Sequence, residues 1–177
     1  MFFSNTAIII KIENFQLINL SNLSFEEDNN FFSLFINKND EYYTGEMHWS
    51  NSFKLGKLNI VHFIIVDNKV VLFTSSVQNF VPFKNIIKHI SPDADVQIFK
   101  LPLPVPKRDI VFSEIQTIEI DEYFGLTVTL NVNNESILTK IYTNGIITFS
   151  MLMNSNIEEM LHILKIIINI VEEFHEV

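Results

Sequence analysis

Two stretches of the chain share one hydropathy pattern. Phe63 to Ser76 reads FIIVDNKVVLFTSS, and Thr139 to Leu152 reads TKIYTNGIITFSML. Each is an apolar run, a tight polar turn at an asparagine, and a second apolar run that ends in Phe plus a hydroxyl residue. Asn and Asp tolerate left-handed backbone, so Asp67-Asn68 and Asn144-Gly145 predict two β-hairpins. A helix follows each. Asn79 to Ile90 carries Pro82 in the first turn, where a missing N–H costs little, and Lys88 and His89 at the end that favours cations. The closing segment, Asn154 to Phe174, offers Ser155 and Glu158 as a capping box. Its apolar stripe is Ile157, Met160, Leu161, Leu164, Ile167, Ile168 and Val171.

The remaining segments complete two similar halves. Thr6 to Leu20 is rich in β-branched residues and predicts a long strand, bent near Asn14. In SNLSFEEDNNFFSLFI, Ser24 and Glu27 suit a capping box, and Phe31, Leu34 and Phe35 fall at helical spacing, so a short helix is expected. NKNDEYYTG predicts a turn, EMHWSN a short strand, and SFKLGK another turn at Gly56. After SPDAD, the prolines of VQIFKLPLPVP (Val96 to Pro106) restrict an extended segment to an edge. KRDIVFSEIQTIEI suits helix and strand alike. DEYFGLTVTLNV predicts a strand and NNES a turn. The order strand, short element, strands and helix thus occurs twice, over 1–92 and 93–177, and points to an α+β chain built as an internal repeat.

Composition narrows the class. Apolar residues make up 47% and charged residues 19%, which is enough core material to exclude a disordered chain. The abundance of Phe, Ile, Asn and Lys also fits an AT-rich genome. The formal charge is −9 with a single arginine, Arg108, and the pI is about 4.9, unlike a typical nucleic-acid binder. Cysteine is absent, so no disulfide framework or thiolate metal site exists. The start MFFSNTAIII lacks the features of a signal peptide, and no apolar run reaches membrane-spanning length. A soluble, intracellular, non-secreted protein is expected, without membrane association.

Order and spacing over most of the chain resemble the TATA-box-binding protein family. That family carries a Leu-Ile-Phe-containing hairpin before a long helix in each of two repeats, and the two hairpins quoted above stand in that place. Upstream, the family has an acidic residue, an aromatic and Gly-Leu. This chain has DEYFGLTVTL at Asp121 to Leu130 and DEYYTGEMHW at Asp40 to Trp49. The resemblance implies a curved antiparallel sheet, a saddle, with long helices on the convex face and a concave face for DNA. It implies a transcription initiation factor that binds or bends AT-rich double-stranded promoter DNA, and the net charge of −9 with few rim cations makes that binding weak when the chain is alone. It would meet other transcription proteins through its convex helices, in a nucleus or at a viral transcription site.

Carried over by position, the family's apolar wedges fall on Tyr43 with Ile65 and on Phe124 with Ile141. Tyr142 replaces Ile141 if that strand slips by one residue. Asn5 and Gln97 stand near the family's groove-reading amides. The cationic rim is reduced to Lys54 and Lys57 in the first half, while NVNNES in the second has no cation. Phosphate neutralisation supplies most non-specific DNA affinity, so these departures favour an alternative: a module of the same fold that has lost DNA binding and holds a protein ligand. An unrelated α/β domain with duplicated hairpins is a third reading. No phosphate loop or nucleophile elbow is present, and His48, His62, His89, His162 and His175 lack metal-ligand spacing in sequence. No enzyme activity, metal or cofactor is expected.

Overall fold

The computed structural model describes residues 4–39, 42–52, 56–150 and 156–175. Its strands are β1 (Thr6–Glu13), β2 (Leu23–Glu27), β3 (Asn30–Lys38), β4 (Tyr43–Ser50), β5 (Asn59–Val66), β6 (Lys69–Leu72), β7 (Asp95–Ile98), β8 (Ile115–Asp121), β9 (Gly125–Val132), β10 (Glu135–Tyr142) and β11 (Ile146–Phe149). Helix α1 (Phe80–Ile90) precedes β7, and α2 (Ile157–Glu173) follows β11. The fold is α+β, with one large antiparallel sheet that does not close. Its order is β2-β3-β4-β5-β6-β1-β11-β10-β9-β8, and β7 also pairs with β1.

Polar dipeptides set the hairpins. Asp28-Asn29, Asp67-Asn68 and Asn133-Asn134 all have positive φ at both residues. Two left-handed residues in succession match the twist of the flanking strands. The first of these turns overturns the short helix expected after Ser24. There β2 and β3 form a hairpin, with Phe25 opposite Phe32 and Leu23 opposite Leu34. Phe32 and Leu34 point into the core while Phe35 is exposed, the period of two that belongs to a strand. The helical spacing of Phe31, Leu34 and Phe35 is a by-product of a segment apolar on both faces.

The long strand expected from Thr6 to Leu20 stops at Glu13. Asn14 turns the chain with a positive φ, and a short 3-10 turn covers Leu17–Asn19. At the other end, α2 is capped one residue later than expected. Asn156 accepts from the Glu159 N–H and Glu159 accepts from the Asn156 N–H, a reciprocal capping box. Ser155 lies outside the described residues. Helix α1 lacks such a cap on Asn79. The Asn79 amide instead accepts from Trp49 Nε1 at 3.1 Å and donates to Thr74 Oγ1 at 2.7 Å.

Strand β1 joins the two halves. Along one edge, Ile8 to Lys11 pair with β6. Along the other, Thr6 to Ile8 pair with β11 and Ile10 to Glu13 pair with β7. β7 and β11 therefore lie end to end beside one strand. Since β6 and β11 are both antiparallel to β1, they run parallel to each other.

This arrangement places the helices on opposite faces of the sheet. Ile8, Ile10 and Ile12 belong to the core around Phe83, Ile86 and Ile87 of α1. Ala7 and Ile9, on the other side of the same strand, belong to the core around Ile163, Leu164, Ile167 and Ile170 of α2. Neighbouring strands divide the same way. Phe63, Ile65, Val70 and Leu72 face α1, whereas Ile64, Val66, Val71 and Phe73 face α2. Side chains alternate strictly across a strand, so one sheet separates two cores. The expectation of both helices on one convex face is corrected by this alternation. Each wing of the sheet is covered by its own helix on one side, and the covered sides are opposite.

Lys69 fastens α2 across the centre. This nearly buried lysine makes an ion pair with Glu172, and its ammonium lies 5.1 Å from the Phe99 ring centroid. On the α1 side, Gly45 lets the chains close up, because a Cβ there would collide with the Phe35 carbonyl oxygen and the Phe63 ring. Among the described residues, no helix is long and apolar enough to cross a membrane.

Candidate functional site

The second wing leaves one face open. On β9, Leu126, Val128 and Leu130 are buried beneath α2, and Thr127, Thr129 and Asn131 alternate with them on the uncovered side. The same holds on β10, where Ile137, Thr139 and Ile141 are buried while Ser136, Leu138 and Lys140 are exposed. Such alternation marks a strand with one solvated face.

The corner of this wing carries the most exposed aromatic pair among the described residues. Tyr123 and Phe124 connect β8 to β9, with relative exposures of 68% and 74%. The turn that holds them is well tied. The Asp121 carboxylate accepts from the Tyr123 and Phe124 N–H groups at 2.9 and 3.0 Å. Thr143 Oγ1 donates to the Tyr123 carbonyl at 2.8 Å, and the Thr143 N–H donates to the Phe124 carbonyl at 3.2 Å. The two amide bonds, that of Tyr123 first, hold the Asp121 carboxyl below the ordinary carboxylate range, because they favour the charged form. Phe124, Tyr142, Thr127, Lys140, Glu119 and Asp121 line a shallow cavity of about 440 Å³.

The other wing has its open face on the α2 side. There Glu46 sits between two imidazoles, with Oε2 3.0 Å from His48 Nε2 and Oε1 3.5 Å from His62 Nδ1. Phe35 and Ile60 flank them and are about half exposed. His62 Nδ1 and Ser33 Oγ are buried without a hydrogen-bond partner. The described residues contain no group of three or more His, Asp or Glu placed to hold a metal ion.

The residues singled out in the sequence fall into separate places. Tyr43 and Ile65 are direct cross-strand partners, but both pack into the α1 core, and Ile65 is buried. Ile141 is buried under α2. Tyr142, on the opposite side of β10, pairs with Gly125 and shares the corner cavity with Phe124. Asn5 precedes β1, where its carbonyl accepts from Phe149 N–H at 3.0 Å. Gln97 sits on β7 opposite Lys11, at the other end of β1. Lys57 is exposed, while Lys54 lies outside the described residues, as do Asp40 and Glu41 of the DEYY stretch.

Sequence reasoning missed the acidic border of β8 and the Glu46 cluster. The border was legible as four carboxylates between Glu114 and Glu122. The Glu46 cluster depends on a cross-strand register that brings His62 beside it. No protein family, curated protein or solved structure matches the chain.

Proposed function

We propose that this protein is a non-enzymatic protein-interaction module whose binding surface is the open face and corner of the second wing. The observation that carries this reading is the rigid exposure of Tyr123 and Phe124. A large aromatic held in water by a hydrogen-bonded turn is costly to leave uncovered and loses little entropy on docking. The order of strand, antiparallel meander and helix occurs in both halves, with five meander strands (β2 to β6) in the first and four (β8 to β11) in the second, and supports reading the two halves as tandem repeats of one unit.

Three observations count against a DNA duplex as the ligand. The helices occupy opposite faces, so neither face is open across both halves. Two of the expected wedges, Ile65 and Ile141, pack beneath helices. Lys140 is the cation lining the corner cavity, beside Glu119 and Asp121, whereas duplex binding needs several phosphate contacts. The duplex reading keeps one supporting observation, the exposed Phe124, which has the chemistry of an intercalating wedge.

Fluorescence anisotropy with AT-rich and GC-rich duplexes, over a salt series, decides between the two. The expected result is no preference for the AT-rich duplex at low salt. Salt-sensitive, AT-preferring binding that Phe124→Ala weakens would overturn the interaction-module reading. A photo-crosslinking residue placed at position 124 is expected to give discrete protein adducts in cells of the source, whereas one at the exposed Val81 of α1 gives none.

A further inference from the structure

We propose that the free edge of β8 accepts an extended, lysine- or arginine-bearing segment of a partner protein as an added strand, with Tyr123 and Phe124 anchoring its end. This rests on the interaction-module reading and names the partner's chemistry. β8 is the last strand of the sheet order. Among the described residues it pairs with β9 alone, from Ile115 to Asp121. An unpaired edge presents a row of backbone donors and acceptors, and extended peptides bind such rows by continuing the ladder. Among the described residues this edge is engaged at its two ends, where Ile115 N–H donates to the Phe112 carbonyl at 3.2 Å and Val105 N–H to the Glu122 carbonyl at 2.8 Å.

Charge selects the occupant. Glu114, Glu119, Asp121 and Glu122 lie along or beside the edge. Among the described residues, the ion pair they make is Glu122 with the exposed Lys107 at 3.5 Å. The Ser113 hydroxyl bonds Glu114 at 2.7 Å, and the Tyr123 and Phe124 amides bond Asp121, so both carboxylates stay ionised well below neutral pH. A second copy of this chain is a poor occupant. The sheet's other edge, β2, carries Glu26 and Glu27, and β8 is itself acidic, so either edge would bring carboxylate against carboxylate. Like charges directly opposite destabilise a strand pair, whereas a cationic strand offers Glu119 and Asp121 the direct ion pairs that they do not make among the described residues, where Lys140 is the nearby cation, and gains on-rate from the net charge of −9.

The side chains of β8 support a ladder. Ile115, Ile118 and Ile120 are half-buried against the α2 core, while Thr117, Glu119 and Asp121 are exposed. The strand is therefore held in register by its inner face, and its outer residues can meet alternate side chains of an added strand. The aromatic corner at its C-terminal end supplies the apolar contact that charge and backbone bonding lack.

The test is a titration of the full chain with a short labelled peptide in which lysine alternates with valine or threonine, followed by anisotropy. Three comparisons accompany it: the same peptide N-methylated at alternate residues, a glutamate-for-lysine peptide, and the variants Glu119→Lys and Phe124→Ala. Binding of the lysine peptide is expected, weakened about tenfold or more by N-methylation, severalfold by either variant, and lost in the glutamate peptide. Equal affinity for the N-methylated peptide would reduce the association to charge alone and overturn the added strand. No binding of the lysine peptide would overturn it as well. In both cases discrete protein adducts from position 124 would leave the interaction-module reading standing, whereas AT-preferring duplex binding would remove that reading itself.

Discussion

The two hairpins that look alike in sequence have different surroundings. In β5 and β6, every residue from Phe63 to Val66 and from Lys69 to Leu72 is buried, because α1 covers one face and α2 the other. In β10, buried and exposed residues alternate, because only α2 covers it. The difference was written in the letters. FIIV and VVLF are continuous apolar runs, as expected of strands covered twice, whereas ILTKIY alternates. Similar hairpins can thus mark one position in a repeat while one serves as the centre of the molecule and the other as a wing with a free surface.

The strongest way to break this comparison is a pair of neighbouring truncations in β1. Ile9→Ala opens the α2 core and Ile10→Ala the α1 core, and each is expected to cost about 3 kcal/mol in denaturant unfolding. A sheet with both helices on one face would make one of the two nearly neutral. The corresponding neighbours on the wing are expected to differ, with Val128→Ala costing about 1–2 kcal/mol and Thr129→Ala within about 0.5 kcal/mol. Next in size, Asn156→Ala removes the capping box of α2 and should cost about 1 kcal/mol. Glu172→Ala strands the nearly buried Lys69 and is also expected to cost about 1 kcal/mol, discounted because Glu172 is partly exposed. Lys69→Met should be milder than Glu172→Ala, since it removes the stranded charge; an equal or larger loss would show that the lysine's packing outweighs the pairing.

The smallest effect is a pH dependence at the corner. The folded-state carboxyl of Asp121 titrates below its ordinary range. Its contribution is therefore present at neutral pH and is lost as the pH falls through that lowered value. The Tyr123 and Phe124 amide resonances should shift in that acid range, and Asp121→Asn should abolish the shift. Amides that shift only at the ordinary aspartate range would show that the turn is not held by this carboxylate.

What could be read in advance follows from which information is local. Turn chemistry and helix stripes are local, so the hairpins at Asp67-Asn68 and Asn144-Gly145 and both helices were visible. The Asp28-Asn29 hairpin was hidden because Phe31, Leu34 and Phe35 imitate helical spacing in a strand apolar on both faces. The face each helix covers is not local at all. It follows from the direction in which β6 and β11 flank β1, which no stretch of sequence states. The same holds for the candidate surface. Tyr142 was named only as the partner that replaces Ile141 beside Phe124 if the strand slips by one residue, and the cavity it shares with Phe124 appears only with the pairing of Tyr142 to Gly125. Ile65 and Ile141 were named by position, and burial removes them from any surface.

The end-to-end seating of β7 and β11 beside β1 imposes an order on biosynthesis. β1 leaves the ribosome before every other strand of this sheet, yet part of its second edge is completed only by residues 146–149. The apolar side formed by Ile9, Ile64, Val71 and Phe73 is covered by α2, which is made after every strand of the sheet. A nascent chain long enough to form the central hairpin still displays that apolar side to water, and its long-range pairings must wait. Chains stalled before position 156 should accordingly be the species that chaperones hold longest, and emergence of α2 should be the moment they let go.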